Sequence, residues 1–391
     1  MKTTFKLEAE ADAGRIREWR RYLHAHPELS GQETHTAAYI AELLRDLGYT
    51  PTEGVGGGRG LFADLRVNDG PFVALRADMD ALPVSEETGL EFASTNPGVM
   101  HACGHDAHMA MLLGAAKLLF QHKKQITRSV RLIFQPHEEL LPGGAAAMID
   151  AGVLNNVEEI GALHVWAGLK SGQLSTRVGP TTAAVDIFQI VVHGKGGHAA
   201  MPEQCIDPIV AGAQIVTALQ TIVSRSIPIN ESAVLSVGRF QAGTTDNVIP
   251  NETVIGGTIR TFNERIRESV NARVRDIATH VAEACGARVE ISLTRGYPVL
   301  LNDQGAADRM IEAARLAGVV PEDMVELTPL GVGEDFAYYS QKIPAVFAFL
   351  GCSARGRQAH AHHHPCFTVD ENVLPLGSAL LAQFAAGAAF V

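Results

Sequence analysis

A short stretch near residue 100 places one thiol and several imidazole groups directly before an apolar run. Residues 100–108 read MHACGHDAH, and the apolar run 109–120 follows. Cysteine thiolates and histidine nitrogens are ligands for transition metals. A cysteine or histidine at this place can equally be a helix cap or a core residue. The stretch alone therefore leaves a metal site and an ordinary helix start as alternatives.

Three further groups of donor residues favour the metal site. Two of them lie at the end of, or within, strand-like apolar segments, and the third is a histidine tract. They are residues 135–139 (QPHEE), His164 within 160–166, and residues 362–365 (HHHP). Sulfur, imidazole nitrogen and carboxylate oxygen together suit Zn²⁺, Mn²⁺, Co²⁺ or Ni²⁺ better than Mg²⁺ or Ca²⁺. We therefore expect these segments to contribute to one transition-metal site.

Glu138 and Glu139 are adjacent carboxylates that follow an apolar strand-like run. Neighbouring side chains of an extended segment point to opposite sides, so one glutamate could bind metal while the other faces a substrate. Metal-assisted hydrolysis needs such a carboxylate to take a proton from water and pass it to the leaving group. A pair of solvated loop glutamates is the alternative.

Composition indicates a globular protein and excludes several classes. The chain has 391 residues, of which 46% are hydrophobic, so it is long enough for two or three buried cores. The net charge of −11 is dispersed, so we expect no nucleic-acid partner. Five cysteines, an odd number, favour reduced thiols over a disulfide framework. With no signal-like leader and no membrane-length apolar segment, we expect a cytoplasmic location and no membrane partner.

The hydrophobic pattern predicts two architectures in one chain. Outside residues 185–294, strands alternate with helices, which is typical of an α/β domain with a mixed, largely parallel sheet flanked by helices. Within 185–294 the order is β-α-β-β-α-β, that of a ferredoxin-like α+β domain. We therefore predict a discontinuous metal-binding catalytic domain, residues 1–184 and 295–391, with a ferredoxin-like domain, residues 185–294, inserted into it.

The individual elements follow from periodicity and from start and stop residues. The predicted helices are 12–26, 34–47, 106–123, 144–151, 207–226, 263–285, 303–317 and one that begins at 372. The predicted strands are 61–67, 72–79, 130–134, 160–165, 186–193, 233–240, 253–262, 288–293 and 345–350.

Ten short segments, spread in order over nearly the whole chain, carry a family resemblance. They are 21–28 (RYLHAHPE), 75–83 (LRADMDALP), 100–108 (MHACGHDAH), 134–139 (FQPHEE), 162–165 (ALHV), 194–202 (GKGGHAAMP), 247–250 (NVIP), 257–260 (GTIR), 334–338 (EDFAY) and 363–365 (HHP). Together they resemble the M20 metallopeptidase superfamily, and within it the amidohydrolase branch of hippurate hydrolases, N-acyl-amino-acid deacylases and auxin-conjugate hydrolases. So many ordered matches make the resemblance specific, where any one motif would be weak.

The resemblance implies two divalent metal ions per subunit, with zinc or manganese favoured and cobalt or nickel as alternatives. Cys103 falls at the position that bridges the two ions, Glu138 at that of the general base, and Asp78 at a supporting position. The other implied metal ligands are His105, Glu139, His164 and His363.

The resemblance also implies that the inserted domain is a lid or dimerisation domain that meets the substrate. His198 could donate a hydrogen bond to the oxyanion formed at the attacked carbonyl. Arg260 offers a planar fork suited to a carboxylate, and Asn247 could bind the same carboxylate or the amide. A homodimer or homotetramer is implied as well.

The expected function is metal-dependent hydrolysis of the amide bond of a small N-acyl or N-aroyl amino acid, giving a carboxylic acid and a free amino acid. Two alternatives remain, an M20 carboxypeptidase or dipeptidase acting on unblocked peptides, and a catalytically silent protein that binds metal or amino acids. Three departures from the family pattern bear on acyl-group preference: His137 replaces an alanine, residues 140–142 delay a glycine-rich continuation, and Gly333 replaces a serine.

Overall fold

The structure, a computed structural model, describes residues 4–354, 356 and 359–387. Within these residues the helices are α1 Thr4–Ala11, α2 Ala13–Ala25, α3 Thr34–Asp46, α4 His105–Gln121, α5 Ala145–Asp150, α6 Pro208–Thr221, α7 Glu264–Ala284, α8 Gln304–Ala317, α9 Ala337–Ser340 and α10 Leu374–Ala386. The strands are β1 Pro51–Val55, β2 Gly60–Leu65, β3 Phe72–Asp78, β4 Ser129–Gln135, β5 Val157–Lys170, β6 Leu174–Ser175, β7 Gly179–Thr182, β8 Ala184–His193, β9 Gly197–His198, β10 Ala233–Ala242, β11 Val248–Ile249, β12 Glu252–Thr261, β13 Arg288–Arg295, β14 Leu300–Asn302 and β15 Ala345–Ser353.

The chain divides into two compact units, each with its own hydrophobic core. The first unit comprises the described residues of Met1–Thr181, Leu300–Thr328 and Glu334–Val391. The second comprises Thr182–Val299 and Pro329–Gly333.

The first unit is built on a seven-stranded sheet in the order β1-β2-β4-β3-β5-β15-β6. Its central strands β4, β3, β5 and β15 run parallel, while β1, β2 and β6 pair antiparallel at the two edges. Helix α4 packs against α10 and α2. This arrangement confirms the predicted α/β class with a mixed sheet flanked by helices.

Strands β3 and β4 are buried at every position, as expected for parallel strands covered on both faces. Their sequences, FVALRAD and SVRLIFQ, both end in a polar residue, Asp78 and Gln135. The carboxyl ends of parallel strands lie at one edge of the sheet, where α/β proteins usually bind ligands. Polar residues that follow these strands are therefore gathered at that edge.

Gly104 fixes the start of helix α4. It occupies the N-cap position with φ of 92°, in the left-handed region that favours glycine. A Cβ atom on residue 104 would lie 2.4 Å from Cγ2 of Val165, so a side chain there would also collide with β5. The glycine thus lets the loop approach β5 closely, with Cys103 just before the turn and His105 just after it.

The second unit has an antiparallel sheet in the order β10-β12-β8-β13 with helices α6 and α7 packed on it. Along the chain its main elements follow the β-α-β-β-α-β order expected from the sequence. Both helices begin with side-chain caps, since Asp207 accepts the N–H groups of residues 209 and 210 and Asn263 those of residues 265 and 266. Residues 266, 270, 274 and 278 of α7 are buried at helical spacing.

Among the described residues, every helix is too short or too polar to span a lipid bilayer.

Candidate metal centre

Cys103 lies between two groups of donor residues in the first unit. Its Sγ is 3.5 Å from Nε2 of His164, and Cys103, His105 and His164 form one group with ligand atoms within 4.8 Å of one another. Cys103, Glu139 and His363 form a second group under the same criterion. A single thiol shared by two donor groups is the arrangement in which one sulfur could bridge two ions. The structure thus brings together the five residues that the resemblance implied as ligands.

The backbone orients two of these histidines. Nδ1 of His105 is 2.8 Å from the carbonyl oxygen of Asp80, and Nδ1 of His164 is 2.6 Å from that of Val165. A carbonyl only accepts hydrogen bonds, so each Nδ1 carries the proton and donates it. Each Nε2 is therefore the nitrogen that can bind a metal, once any proton on it has been released.

The donor set fits a cation because it contains buried polar atoms without partners. Nε2 of His105 and Oε1 of Glu139 are both buried and have no hydrogen-bond partner in the structure, and they face each other at 3.7 Å. Buried polar atoms in native proteins are nearly always satisfied, since leaving one unpaired is costly. A divalent cation between these two atoms would satisfy both.

His363 reaches this site by folding from the far end of the chain. It adopts φ of 66°, and its N–H donates to the carbonyl of Ala102 at 2.9 Å, which attaches its loop to the loop that carries Cys103. Its Nε2 lies 3.5 Å from Oε2 of Glu139, and its side chain is 53% exposed. His363 therefore forms the open side of the cluster.

Without a cation, the cluster retains protons. Burial raises the pKa of the Cys103 thiol well above its usual value, and the carboxylates of Glu139 and Glu138 raise it further. Burial alone would lower the pKa of His105, but Asp78, Asp80 and Glu139 outweigh burial and raise it to about 10. Metal binding must displace such protons, so metal affinity is coupled to pH.

Glu138 lies between the donor groups and a second acidic environment: it has a carboxylate oxygen within 4.8 Å of ligand atoms of His105 and Glu139, and it also groups with Glu334 and Asp335. Its Oε1 accepts the N–H of Asp335 at 3.4 Å, and the residue is buried. Burial, then the neighbouring carboxylates of Glu334 and Glu139, raise its pKa well above the ordinary glutamate value. A raised pKa makes the carboxylate a stronger base than an ordinary glutamate, which suits a group that transfers protons.

A buried ion-pair network lies behind Glu138 and includes residues to which the sequence assigned no role. The guanidinium of Arg76 pairs with Asp78 at 2.6 Å, Asp335 at 2.9 Å and Glu334 at 3.2 Å. Asp335 also accepts hydrogen bonds from the Gln135 side chain at 2.8 Å and from the N–H of residue 145 at 2.9 Å. The network fixes the segment that donates to Glu138.

Asp78, expected at a supporting position, acts on the site through a fourth histidine, His108. Its Oδ1 accepts from Nδ1 of His108 at 2.6 Å, and Nε2 of His108 accepts the N–H of Val165 at 2.8 Å. His108 therefore links strand β3 to the segment of β5 that carries His164. Asp78 itself is 3.8 Å from Nδ1 of His105.

Asp80, which sequence reasoning missed, has the more direct contacts. Its carbonyl orients His105, and its Oδ2 accepts the N–H of Glu139 at 2.9 Å and the hydroxyl of Ser30 at 2.6 Å. Its position two residues beyond β3, at the sheet edge where the donor residues lie, could have indicated a role in the site. The contact with His105 comes from the backbone carbonyl of Asp80, which the type of its side chain does not indicate.

The three residues expected to bind substrate all lie in the second unit. His198 ends β9, which pairs with β11, and Asn247 immediately precedes β11. Nδ1 of His198 accepts the N–H of Ala200 at 3.1 Å, so the ring proton is on Nε2, which can act as a donor. Arg260 lies on β12, and its Nη1 donates to the carbonyl of Gly331 at 2.5 Å.

Comparison with known proteins identifies the family. The family model described as peptidase family M20/M25/M40 matches residues 74–387, which is most of the chain. The chain belongs to this family. It is 41% identical over 369 residues to N-acetyl-L-cysteine deacetylase of Bacillus subtilis (strain 168), covering 94% of this chain and 86% of the relative. It is 48% identical over 288 residues to N-acyl-L-amino acid amidohydrolase of Geobacillus stearothermophilus, covering 73% and 78%.

A solved structure of the M20 family is closely similar over the whole chain. The YXEP protein of Bacillus subtilis, described as a dinuclear metal binding peptidase, has a TM-score of 0.85 at 38% identity, covering 96% of this chain and 98% of that one. The M20 fold and the two donor groups that share Cys103 together support a site for two divalent ions.

Proposed function

We propose that this M20 protein is a metal-dependent amidohydrolase that cleaves the amide bond of N-acyl or N-aroyl amino acids, releasing a carboxylic acid and a free amino acid. The observation that carries the proposal is the buried carboxyl group of Glu138 next to two donor groups that share Cys103. A site that only bound metal would not need this additional carboxyl group. The names of two relatives, an N-acetyl-L-cysteine deacetylase and an N-acyl-L-amino acid amidohydrolase, support the substrate class.

The proposed ligands are Cys103, His105, Glu139, His164 and His363, with Cys103 shared by both ions. Zinc or manganese suits this mixture of sulfur, nitrogen and oxygen donors, and cobalt or nickel could replace them. When bound, the ions would polarise the amide carbonyl and make water more acidic.

Glu138 is the proposed general base and acid. It takes a proton from the attacking water and delivers that proton to the departing amine nitrogen. The Asp335 N–H holds one carboxylate oxygen, which fixes the direction of the group. Burial, and after it the surrounding carboxylates, raise the pKa of Glu138, which favours the protonated form that must donate to the amine.

Three residues of the second unit are the proposed substrate contacts. His198 has an Nε2–H donor suited to a carbonyl oxygen that becomes negative. Arg260 would bind the α-carboxylate of the amino acid, and Asn247 the same carboxylate or the amide. We propose that the second unit acts as a lid and dimerisation domain.

The proposed assembly is a homodimer or homotetramer. Strand β10 lies at one edge of the second unit's sheet and carries Val234 and Phe240, which are 53% and 42% exposed. An edge strand with exposed apolar side chains is suited to pairing with another chain. The mass in solution, by light scattering, tests this. A cytoplasmic location is also proposed, since all five cysteines are free thiols.

The alternative within the enzyme class is a peptidase acting on unblocked peptides, which the description of the YXEP protein favours. Matched pairs of substrates separate the two, each pair sharing a C-terminal amino acid and bearing either an N-acetyl group or a free aminoacyl residue. The amidohydrolase proposal predicts the higher kcat/KM for the acetylated member. Hydrolysis of the free dipeptides alone would favour the peptidase, and metal binding without turnover of either would favour the silent binding protein.

A further inference from the structure

The backbone just before the glutamate pair departs from the extended form. His137 has φ of 61°, a left-handed conformation that residues with a side chain rarely adopt. This turn determines the directions of the next two side chains. Glu139 faces His105 and His363, whereas Glu138 lies near His105 and Glu139 and also accepts the N–H of Asp335. Something in the fold must therefore hold residue 137 in place.

Two buried carboxylates hold the N–H groups on either side of Glu138. Oε1 of Glu33 accepts the N–H of His137 at 2.8 Å, and Oδ2 of Asp80 accepts the N–H of Glu139 at 2.9 Å. Glu33 is fully buried, and the same Oε1 also accepts the N–H of Gly31 at 2.8 Å. The left-handed turn is thus attached to a loop 104 residues earlier in the chain.

We propose that Glu33 is a positioning residue that holds the His137 turn and thereby places Glu138 and Glu139 for their separate tasks. The inference rests on the roles proposed above for these two glutamates. It adds a residue that touches neither metal nor substrate.

Glu33 does not serve the helix that it precedes. It occupies the N-cap position of α3 but makes no side-chain cap hydrogen bond there. Glu28 has that role, because its carboxylate accepts the N–H of His35 at 3.1 Å and both the N–H and the hydroxyl of Thr36, at 2.8 and 2.9 Å. The Glu28 carboxylate therefore stabilises the start of α3, and the Glu33 carboxylate binds the backbone N–H of His137, just before the glutamate pair.

Close packing leaves little room for other arrangements of this contact. Gly31 has φ of 75°, and a Cβ atom on it would lie 3.1 Å from Nδ1 of His137. Burial, with a contribution from Asp80, raises the pKa of Glu33 to about 7. Near neutral pH the group is partly uncharged, so its main contribution is as a hydrogen-bond acceptor, which an amide oxygen can replace.

The test compares Glu33→Met, which keeps the volume but removes the acceptor, with Glu33→Gln, which keeps both. Glu28→Met is the matched control at the helix start. Hydrogen exchange of a peptide covering residues 134–140 is measured on the full chain, with and without metal, alongside Zn²⁺ affinity and steady-state kinetics. The exchange and affinity measurements do not depend on turnover.

We expect Glu33→Met to increase exchange at residue 137 at least about tenfold and to weaken metal affinity by about 10–100-fold, the range typical of groups that orient ligands. We expect kcat to fall by a similar factor and KM to stay within about twofold, since the substrate contacts are untouched. Glu33→Gln should retain most of the wild-type values. Glu28→Met should increase exchange at residues 35 and 36, followed in a second peptide, and leave exchange in the peptide 134–140 at the wild-type level.

Wild-type exchange and metal affinity in Glu33→Met would overturn the inference, as would equal changes at residue 137 in Glu28→Met. If Glu33→Met does not fold, Glu33→Asp, whose shorter side chain cannot reach both N–H groups, should change exchange and affinity in the same direction. Absence of turnover in the wild-type enzyme would contradict the proposed function and leave the exchange result to decide on Glu33.

Discussion

The sulfur of Cys103 lies 3.5 Å from Nε2 of His164, although 61 residues separate them in the chain. The same cysteine belongs to a second donor group with Glu139 and His363. The thiol is thus common to both halves of the cluster, and its loss should affect both halves.

Replacing Cys103 by alanine should remove metal and not merely slow the reaction. A thiol whose pKa is raised by burial needs a cation to become a thiolate, so sulfur and metal depend on each other. We expect the bound metal, measured by atomic emission after dialysis, to fall from two ions per chain to one or none. Cys285→Ser is the control, since Cys285 belongs to the second unit, whereas the proposed ligands belong to the first. Two tightly held ions in Cys103→Ala would contradict the bridging role.

Glu138→Gln should separate chemistry from metal binding. The amide keeps the shape of the side chain but cannot take a proton, so kcat should fall by about a hundredfold to ten-thousandfold. The metal content should stay at the wild-type level, because the proposed ligand is Glu139. Glu139→Gln should instead lower the metal content, because it removes a proposed ligand. Equal metal loss in both variants would mean that both glutamates are ligands.

Arg76→Met should destabilise the folded protein strongly. The guanidinium is buried among Asp78, Glu334 and Asp335, and its removal leaves buried carboxylates uncompensated. Breaking a buried pair from one side typically costs about 3–5 kcal/mol. The free energy of unfolding in urea measures the effect, with Arg45→Ala as control, since the exposed pair of Arg45 with Glu53 should contribute less than about 1 kcal/mol. Similar losses in the two variants would show that the network contributes little.

The raised pKa of Glu33 predicts a pH-dependent difference from Glu33→Gln. The folded state holds the Glu33 proton up to about pH 7, whereas an ordinary glutamate releases it near 4.5. Between these values the folded state binds more protons than the unfolded state, so wild-type stability falls as pH rises through the window. Glutamine does not titrate. In the metal-free state, the free energy of unfolding of Glu33→Gln relative to wild type should therefore rise by on the order of 2 kcal/mol between about pH 5 and about pH 8. Urea unfolding at both pH values measures it, and a constant difference would show an ordinary pKa.

Elements with a strong local pattern could be predicted from the sequence. Helix α7 has an asparagine cap and buried residues at helical spacing, and strands β3 and β4 are rich in apolar residues and buried at every position. Helix α1 and strand β1 were not predicted, because α1 has only two buried residues and β1 only one. The two-residue strands β9 and β11 are too short to show a period.

In the site, the sequence indicated donor types but not what orients them. Cys103 and His105 flank one glycine turn and could be read locally, while His363 was singled out within the histidine tract only through the family resemblance. An extended strand was expected to send Glu138 and Glu139 to opposite sides, but the backbone before them makes a left-handed turn at His137, and both carboxylates lie within 4.8 Å of His105. That turn depends on Glu33, a contact that exists only after the chain has folded.

Turnover and metal content measured on the same samples test the central claim most directly. Wild type and Glu138→Gln are stripped with chelator, reloaded separately with Zn²⁺ or Mn²⁺, and assayed with N-acetyl and N-benzoyl amino acids. The account predicts no turnover by stripped wild type, restored turnover at two ions per chain, and almost none in Glu138→Gln carrying the same metal. Full activity in Glu138→Gln, or activity that does not follow metal content, would contradict it.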